Sequence, residues 1–204
     1  MRYFIISFYL ISLILILGFS KNDFNTTKKV GDTIIDFKLQ NIDKSFVSLN
    51  GFKNAKGFMV VFTCNHCPFA KLYTKRLNDL NNKYKPMGVP LLAINSMDTM
   101  LYKDEVFSNM QQRAKTERYN FYYLQDAQQV VAKDFGAKHT PQAYVIWKEN
   151  GAWVIKYTGS IDDDGEHPLL AKPYLSIAVD ELLAGKKLSI SETESFGCRI
   201  FYRK

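Results

Sequence analysis

The sequence predicts an α/β fold: a central mixed β-sheet with helices packed on both faces, three layers in all. Three observations carry that expectation. Between residues 57 and 135, apolar runs of strand length alternate with helical patterns. The runs Gly57–Phe62 (GFMVVF) and 89–95 (VPLLAIN) are continuous, as in strands buried on both faces. The series closes with two strands at 143–147 and 153–158, joined through Glu149-Asn150-Gly151, where Asn-Gly favours a hairpin turn.

The other elements follow in order. Residues 33–39 and 45–49 read as two short strands around Asn41-Ile42-Asp43-Lys44. After the strand at 57–62 and a Cys64-Asn65-His66-Cys67 stretch, Phe69, Leu72, Tyr73, Leu77 and Leu80 recur mostly at three- and four-residue steps. This is one helix, stopped by Pro86-Met87-Gly88. Residues 104–116 read as a polar helix with Val106, Phe107 and Met110 on one face. Residues 121–124 read as a strand, 127–135 as a helix closed by Gly136, and 174–184 as a last helix ended by Gly185.

Composition narrows the function. The chain has 204 residues, of which 47% are apolar, so it has ample material for a core. Its net charge is +7, but Lys and Arg are scattered and no basic block is interleaved with aromatics. That pattern argues against a nucleic-acid surface. Arg2 precedes an almost wholly apolar run from Tyr3 to Phe19, and the segment ends in Gly18-Phe19-Ser20, with small residues where a signal-peptide cut needs them. Residues 1–20 are read as a cleaved secretory signal or, alternatively, an uncleaved membrane anchor. Residues 21–29 (KNDFNTTKK) form a polar linker and residues 30–204 the folded domain. Either reading of the first segment places that domain outside the cytoplasm, in the periplasm or secreted, where disulfides persist.

Only three cysteines are present, too few for a stapled scaffold. Cys64 and Cys67 stand in a C-x-x-C spacing between a buried strand and a helix. There the unpaired N–H groups of the helix N-terminus favour negative charge and lower a thiol pKa. Cys64 is therefore expected to be the attacking thiolate and Cys67, one turn on, the resolving thiol. His66 between them is a tuning residue that would stabilise the Cys64 thiolate as an imidazolium. Pro68 suits the first helical position, where its missing N–H loses nothing. Cys198, in Phe196-Gly197-Cys198, is the odd thiol. It could resolve oxidised Cys64, pair with a partner, or be a plain buried thiol.

Strand, C-x-x-C-P, helix, and a later Thr140-Pro141 leading into a strand together resemble the thioredoxin superfamily. From Val30-Gly31-Asp32 to Gly159 the chain is similar to its peroxiredoxin-like redoxin (AhpC/TSA-type) branch, which includes extracytoplasmic thioredoxin-like proteins. The resemblance implies a thioredoxin-like three-layer sandwich. It also implies a cis Pro141 facing Cys64, and a Thr140 backbone that receives a substrate polypeptide by strand addition. The activity implied is thiol–disulfide exchange with protein thiols or disulfides and an upstream thiol reductant or oxidant, with no cofactor and no metal.

Two departures stand out. Phe58 occupies the strand position where thioredoxins carry a buried acid, and Ala70 the place where some relatives put a Glu. No proton acceptor for Cys67 is thus visible. The peroxidatic pattern P-x-x-x-[TS]-x-x-C fails from either cysteine. Counting back from Cys67 meets Cys64 and Val60; counting back from Cys64 meets Val61 and Gly57. Two alternatives remain: a peroxiredoxin-like thiol peroxidase with antioxidant activity, and a copper- or zinc-binding module using Cys64, His66 and Cys67 as soft ligands. Asp162-Asp163-Asp164-Gly165 is read as a solvated turn, because Ser160 and Ala171 would fill the first and twelfth places of a calcium loop.

Overall fold

The structure is a computed structural model that describes residues 27–203. The segment read as signal or anchor, and most of the linker, lie outside the described residues. Among the described residues no helix is long and apolar enough to cross a membrane.

The strands are β1 (Thr33–Ile34), β2 (Lys38–Asn41), β3 (Phe46–Ser48), β4 (Gly57–Phe62), β5 (Leu91–Asn95), β6 (Tyr122–Gln125), β7 (His139–Thr140), β8 (Gln142–Glu149), β9 (Ala152–Gly159) and β10 (Cys198–Arg199). The helices are α1 (Pro68–Leu72), α2 (Thr74–Tyr84), α3 (Phe107–Thr116), α4 (Val130–Phe135) and α5 (Tyr174–Leu183). Eight strands form one sheet in the order β1-β9-β8-β4-β5-β6-β2-β3. It is mixed: β4 runs parallel to β5 and β5 to β6, while β8 lies antiparallel to β4. The architecture is the α/β thioredoxin-like sandwich that the sequence predicts.

The apolar run of β4 is continuous because both faces of that strand are covered. Phe58, Val60 and Phe62 point to one side, where α4 supplies Ala132 and Phe135. Met59 and Val61 point to the other, where α2, α3 and α5 supply Leu77, Met110 and Leu175. Phe58 meets Trp153 edge-on at 4.9 Å between ring centroids, and Phe62 meets Phe135 at 5.5 Å. The position where thioredoxins carry an acid is therefore part of an aromatic core here. This packing fixes the carboxyl end of β4, from which the C-x-x-C emerges.

Several expected boundaries shift. The run 33–39 is two strands. Thr33–Ile34 pairs with β9 at one sheet edge, and Lys38–Asn41 pairs with β3 and β6 near the other. Between them the Asp36 carboxylate accepts the Leu49 N–H at 2.8 Å. The single helix after Cys67 is broken at Tyr73, whose buried hydroxyl donates to Asp162 at 2.8 Å. Arg76 also binds Asp162, so the first of the three aspartates is a buried anchor, not part of a solvated turn. The helix expected from 127 starts at Val130. The Asp126 carboxylate accepts the N–H groups of Val130 and Ala132 there, and Gln129 takes a left-handed φ of 57°. Residues 103–105 form a 3-10 turn ahead of α3, which tips Glu105 into the interior.

Candidate active site

The C-x-x-C lies where expected, between β4 and α1, with Pro68 opening the helix. Both cysteines are reduced and enclosed: Cys64 is 2% exposed and Cys67 0%. The Thr140–Pro141 peptide bond is cis. Thr140 faces both sulfurs. Its hydroxyl lies 3.2 Å from the Cys64 sulfur, and its carbonyl accepts the Cys67 S–H at 3.1 Å. The structure thus brings Cys64, Cys67, Thr140 and Pro141 together from segments more than seventy residues apart.

The surroundings of the motif differ from those inferred from sequence. Glu105 is 1% exposed and lies under the turn. It accepts the backbone N–H of Asn65 at 2.9 Å and that of His66 at 2.8 Å. It also accepts the Asn95 side-chain amide at 2.6 Å, and it pairs with His66 Nδ1 at 2.6 Å. These two N–H groups lie ahead of α1, which opens at Pro68, and the carboxylate takes both. The His66 imidazole faces that carboxylate and stacks on Tyr102 at 4.2 Å, so any positive charge on it is compensated locally. Asn65 is pinned from both ends. Its amide donates to the Asp104 carbonyl at 2.7 Å, and its carbonyl oxygen accepts the Tyr123 hydroxyl at 2.9 Å. Burial, reinforced by Glu105, pushes the Tyr123 phenol well up and keeps it a donor.

These neighbours move the charge within the pair. A hydrogen bond from Cys64 holds the Cys67 thiol well below the ordinary thiol range, and a second from Cys198 adds to this. Donating that hydrogen bond pushes Cys64 up, as do burial and the Glu105 charge. The two thiols therefore titrate as a pair.

The third cysteine is brought in as well. β10 pairs antiparallel with β7, with Cys198 opposite Thr140. Cys198 is partly exposed, and burial together with the neighbouring Cys67 pushes its thiol up. The Thr140 edge expected to receive a substrate strand is thus occupied by the chain's own carboxyl-terminal segment. The metal reading also changes. Among the described residues, the ligand atoms that gather within 4.8 Å belong to Cys64, His66 and Glu105 and do not include Cys67. Both Glu105 oxygens already accept N–H groups of the turn and of Asn95, which marks that carboxylate as a brace for the loop.

The sequence does not single out Glu105, Asn95 or Tyr102, and Tyr123 reads in it only as part of a half-buried strand. Glu105 had been placed at the start of a polar helix, where an acid is commonplace. A clue lay in the neighbouring buried strand: Asn95 ends an otherwise apolar run and requires a polar partner.

A cis-Pro turn facing a C-x-x-C at a strand–helix junction defines a thioredoxin-like redoxin. The AhpC/TSA family model matches residues 30–163, and the chain belongs to that family. Among solved structures it is similar to an uncharacterized conserved protein from Geobacillus kaustophilus, at 32% identity and a TM-score of 0.78, covering 88% of this chain and 94% of that one. It is also similar to a hypothetical protein from Sinorhizobium meliloti 1021, at 29% identity and a TM-score of 0.79, covering 87% and 97%. Peroxidoxin BcpB from Mycobacterium tuberculosis shares the fold at 19% identity and a TM-score of 0.56, covering 76% and 94%. No curated protein matches.

Proposed function

We propose that this protein is a thiol–disulfide oxidoreductase that exchanges disulfides with protein substrates through Cys64 and Cys67, outside the cytoplasm. The observation that supports this most is the meeting of two enclosed sulfurs at Thr140, on the cis-proline turn. Cys64 attacks a substrate disulfide, a mixed disulfide forms on Cys64, and its proton goes to the substrate thiolate that leaves. Cys67 then attacks Cys64, and its proton goes to the second substrate sulfur. The substrate departs as a dithiol and the Cys64–Cys67 disulfide remains. Run backwards, the same steps oxidise a substrate. The extracytoplasmic setting rests on the apolar run at residues 1–20 and on the redox chemistry that such compartments permit.

Peroxide reduction asks for more than a thiolate. It needs donors that polarise the oxygen–oxygen bond beside the reacting sulfur. The Thr140 hydroxyl is the side-chain oxygen that reaches Cys64, and among the described residues no Lys or Arg is a hydrogen-bond partner of that sulfur. Arg113 is committed to the Asn65 carbonyl and the Tyr119 hydroxyl.

The test is a trap. Cys67→Ser, which cannot resolve, should accumulate protein-sized mixed disulfides on Cys64 when exposed to oxidised protein substrates. Cys64→Ser should accumulate none on Cys67. Adducts on neither cysteine would refute the proposed exchange.

A further inference from the structure

We infer that Cys198 is a third redox cysteine, the access thiol through which an external dithiol reloads the enclosed Cys64–Cys67 couple. The inference rests on the exchange reading above and extends it.

Geometry carries it. Thr140 touches all three cysteines: its hydroxyl reaches the Cys64 sulfur at 3.2 Å and the Cys198 carbonyl at 3.4 Å, while its carbonyl takes the Cys67 S–H at 3.1 Å. The register that sets Cys198 opposite Thr140 is reinforced by the Ile200 N–H donating to the Lys138 carbonyl at 2.8 Å. Gly197 makes the approach possible. Its φ is +133°, and a Cβ there would overlap the Thr140 carbonyl. The carboxyl-terminal segment is thus built to lie against the site at van der Waals distance, and its cysteine is the only one of the three that is not buried.

The chemistry balances. After a substrate has been reduced, the site holds a Cys64–Cys67 disulfide. Cys198 attacks the Cys67 sulfur. A Cys67–Cys198 bond forms, the Cys64–Cys67 bond breaks, and the proton of Cys198 passes to Cys64. One disulfide replaces another with no net oxidation. A thiolate of an external dithiol then attacks the more exposed Cys198 sulfur, and Cys67 leaves. Its lowered pKa suits that role, since a more acidic thiol departs faster. The second thiol of the donor resolves the mixed disulfide on Cys198. Two electrons and two protons enter, and the donor departs oxidised. Burial and the neighbouring Cys67 push the resting Cys198 thiol up.

The experiment uses the full chain and glutathione disulfide as oxidant. Cys198→Ser is the first arm. It should close a Cys64–Cys67 disulfide, and failure to do so would sink the exchange reading itself. Cys64→Ser is the second arm, with disulfides mapped after acid quench and alkylation. The expected product is a Cys67–Cys198 bond with no glutathione retained. A glutathione adduct persisting on Cys198, while Cys198→Ser closes normally, overturns the relay and leaves the exchange reading standing. A third measurement needs no Cys64 variant. Oxidised Cys198→Ser should be reduced by dithiothreitol about tenfold more slowly than oxidised wild type, because attack must then reach a buried sulfur. Equal rates would overturn the relay.

Discussion

The turn that carries Cys64 and Cys67 and the strand that carries Cys198 meet at Thr140, yet they are held in opposite ways. Glu105, Asn95, Asn65 and Tyr123 lock the turn, every contact drawn from buried polar groups. The carboxyl-terminal strand is held by the two-residue pairing of β10 with β7. Further contacts run along residues 199–203: buried Ile200, Gln129 bonded to the Phe201 carbonyl and the Arg203 N–H, and Arg203 paired with Asp98 at 2.6 Å. Phe201, within this stretch, remains half exposed. The lesson is a division of labour. Sulfur-to-sulfur geometry sits on a turn braced by buried polar groups, while the proposed access thiol sits on a two-residue strand at the chain's carboxyl-terminal end.

The comparison breaks first at the brace. Glu105→Gln removes the charge and turns an N–H donor toward N–H groups that need an acceptor. It should cost about 3 kcal/mol of stability or more. The same change removes the negative charge that opposes a Cys64 thiolate, so the Cys64 pKa should fall. Urea unfolding and alkylation rate against pH check the two effects. A loss under about 1 kcal/mol would show that water satisfies the turn without the carboxylate.

The strap should give way more gently. Gly197→Ala places a methyl group against the Thr140 carbonyl, so the strand must lift while the turn stays in place. Alkylation of reduced Cys64 and Cys67 should rise about tenfold, with global stability changed by about 1–2 kcal/mol. Unchanged alkylation would mean that the strand does not limit access.

Much of this was legible in the sequence, because it rests on local rules. The continuous apolar strands, the Asn150-Gly151 hairpin, Pro68 at the helix start and the C-x-x-C at a junction each follow from composition within a few residues. Cis Pro141 followed from resemblance, not from composition. The illegible parts depend on long-range pairing. Nothing local says that Glu105, forty residues from Asn65, folds beneath it, or that Cys198 lands opposite Thr140. Nor does anything local say that a buried carboxylate lies beside the motif, where its charge opposes a Cys64 thiolate.

Thr140→Val tests the point where the two regions meet. It removes the hydroxyl near Cys64 and the Cys198 carbonyl but keeps the backbone pairing. One hydrogen bond is worth about 1 kcal/mol, so exchange should slow about fivefold while the fold is retained. No change in rate would remove the hydroxyl from the account.

The smallest effect is in pH dependence. Folding lowers the Cys67 pKa, so its contribution to stability is full above the ordinary thiol value of 9.0 and is lost as pH falls toward the lowered value. Folding raises the Cys64 pKa, so its contribution is full below 9.0 and is lost above it. Under reducing conditions, the stability difference between wild type and a Cys64→Ala, Cys67→Ala double variant should therefore peak near pH 9. A flat difference across the range would show that folding does not shift the two thiols in opposite directions.

The central claim, exchange between sulfurs, is tested most directly by stopped-flow mixing of the reduced protein with a protein disulfide and, separately, with hydrogen peroxide. Protein disulfide should react orders of magnitude faster, and the product should carry a Cys64–Cys67 bond. Peroxide reacting at Cys64 or Cys67 orders of magnitude faster than the disulfide would make the protein a peroxidase and contradict the account.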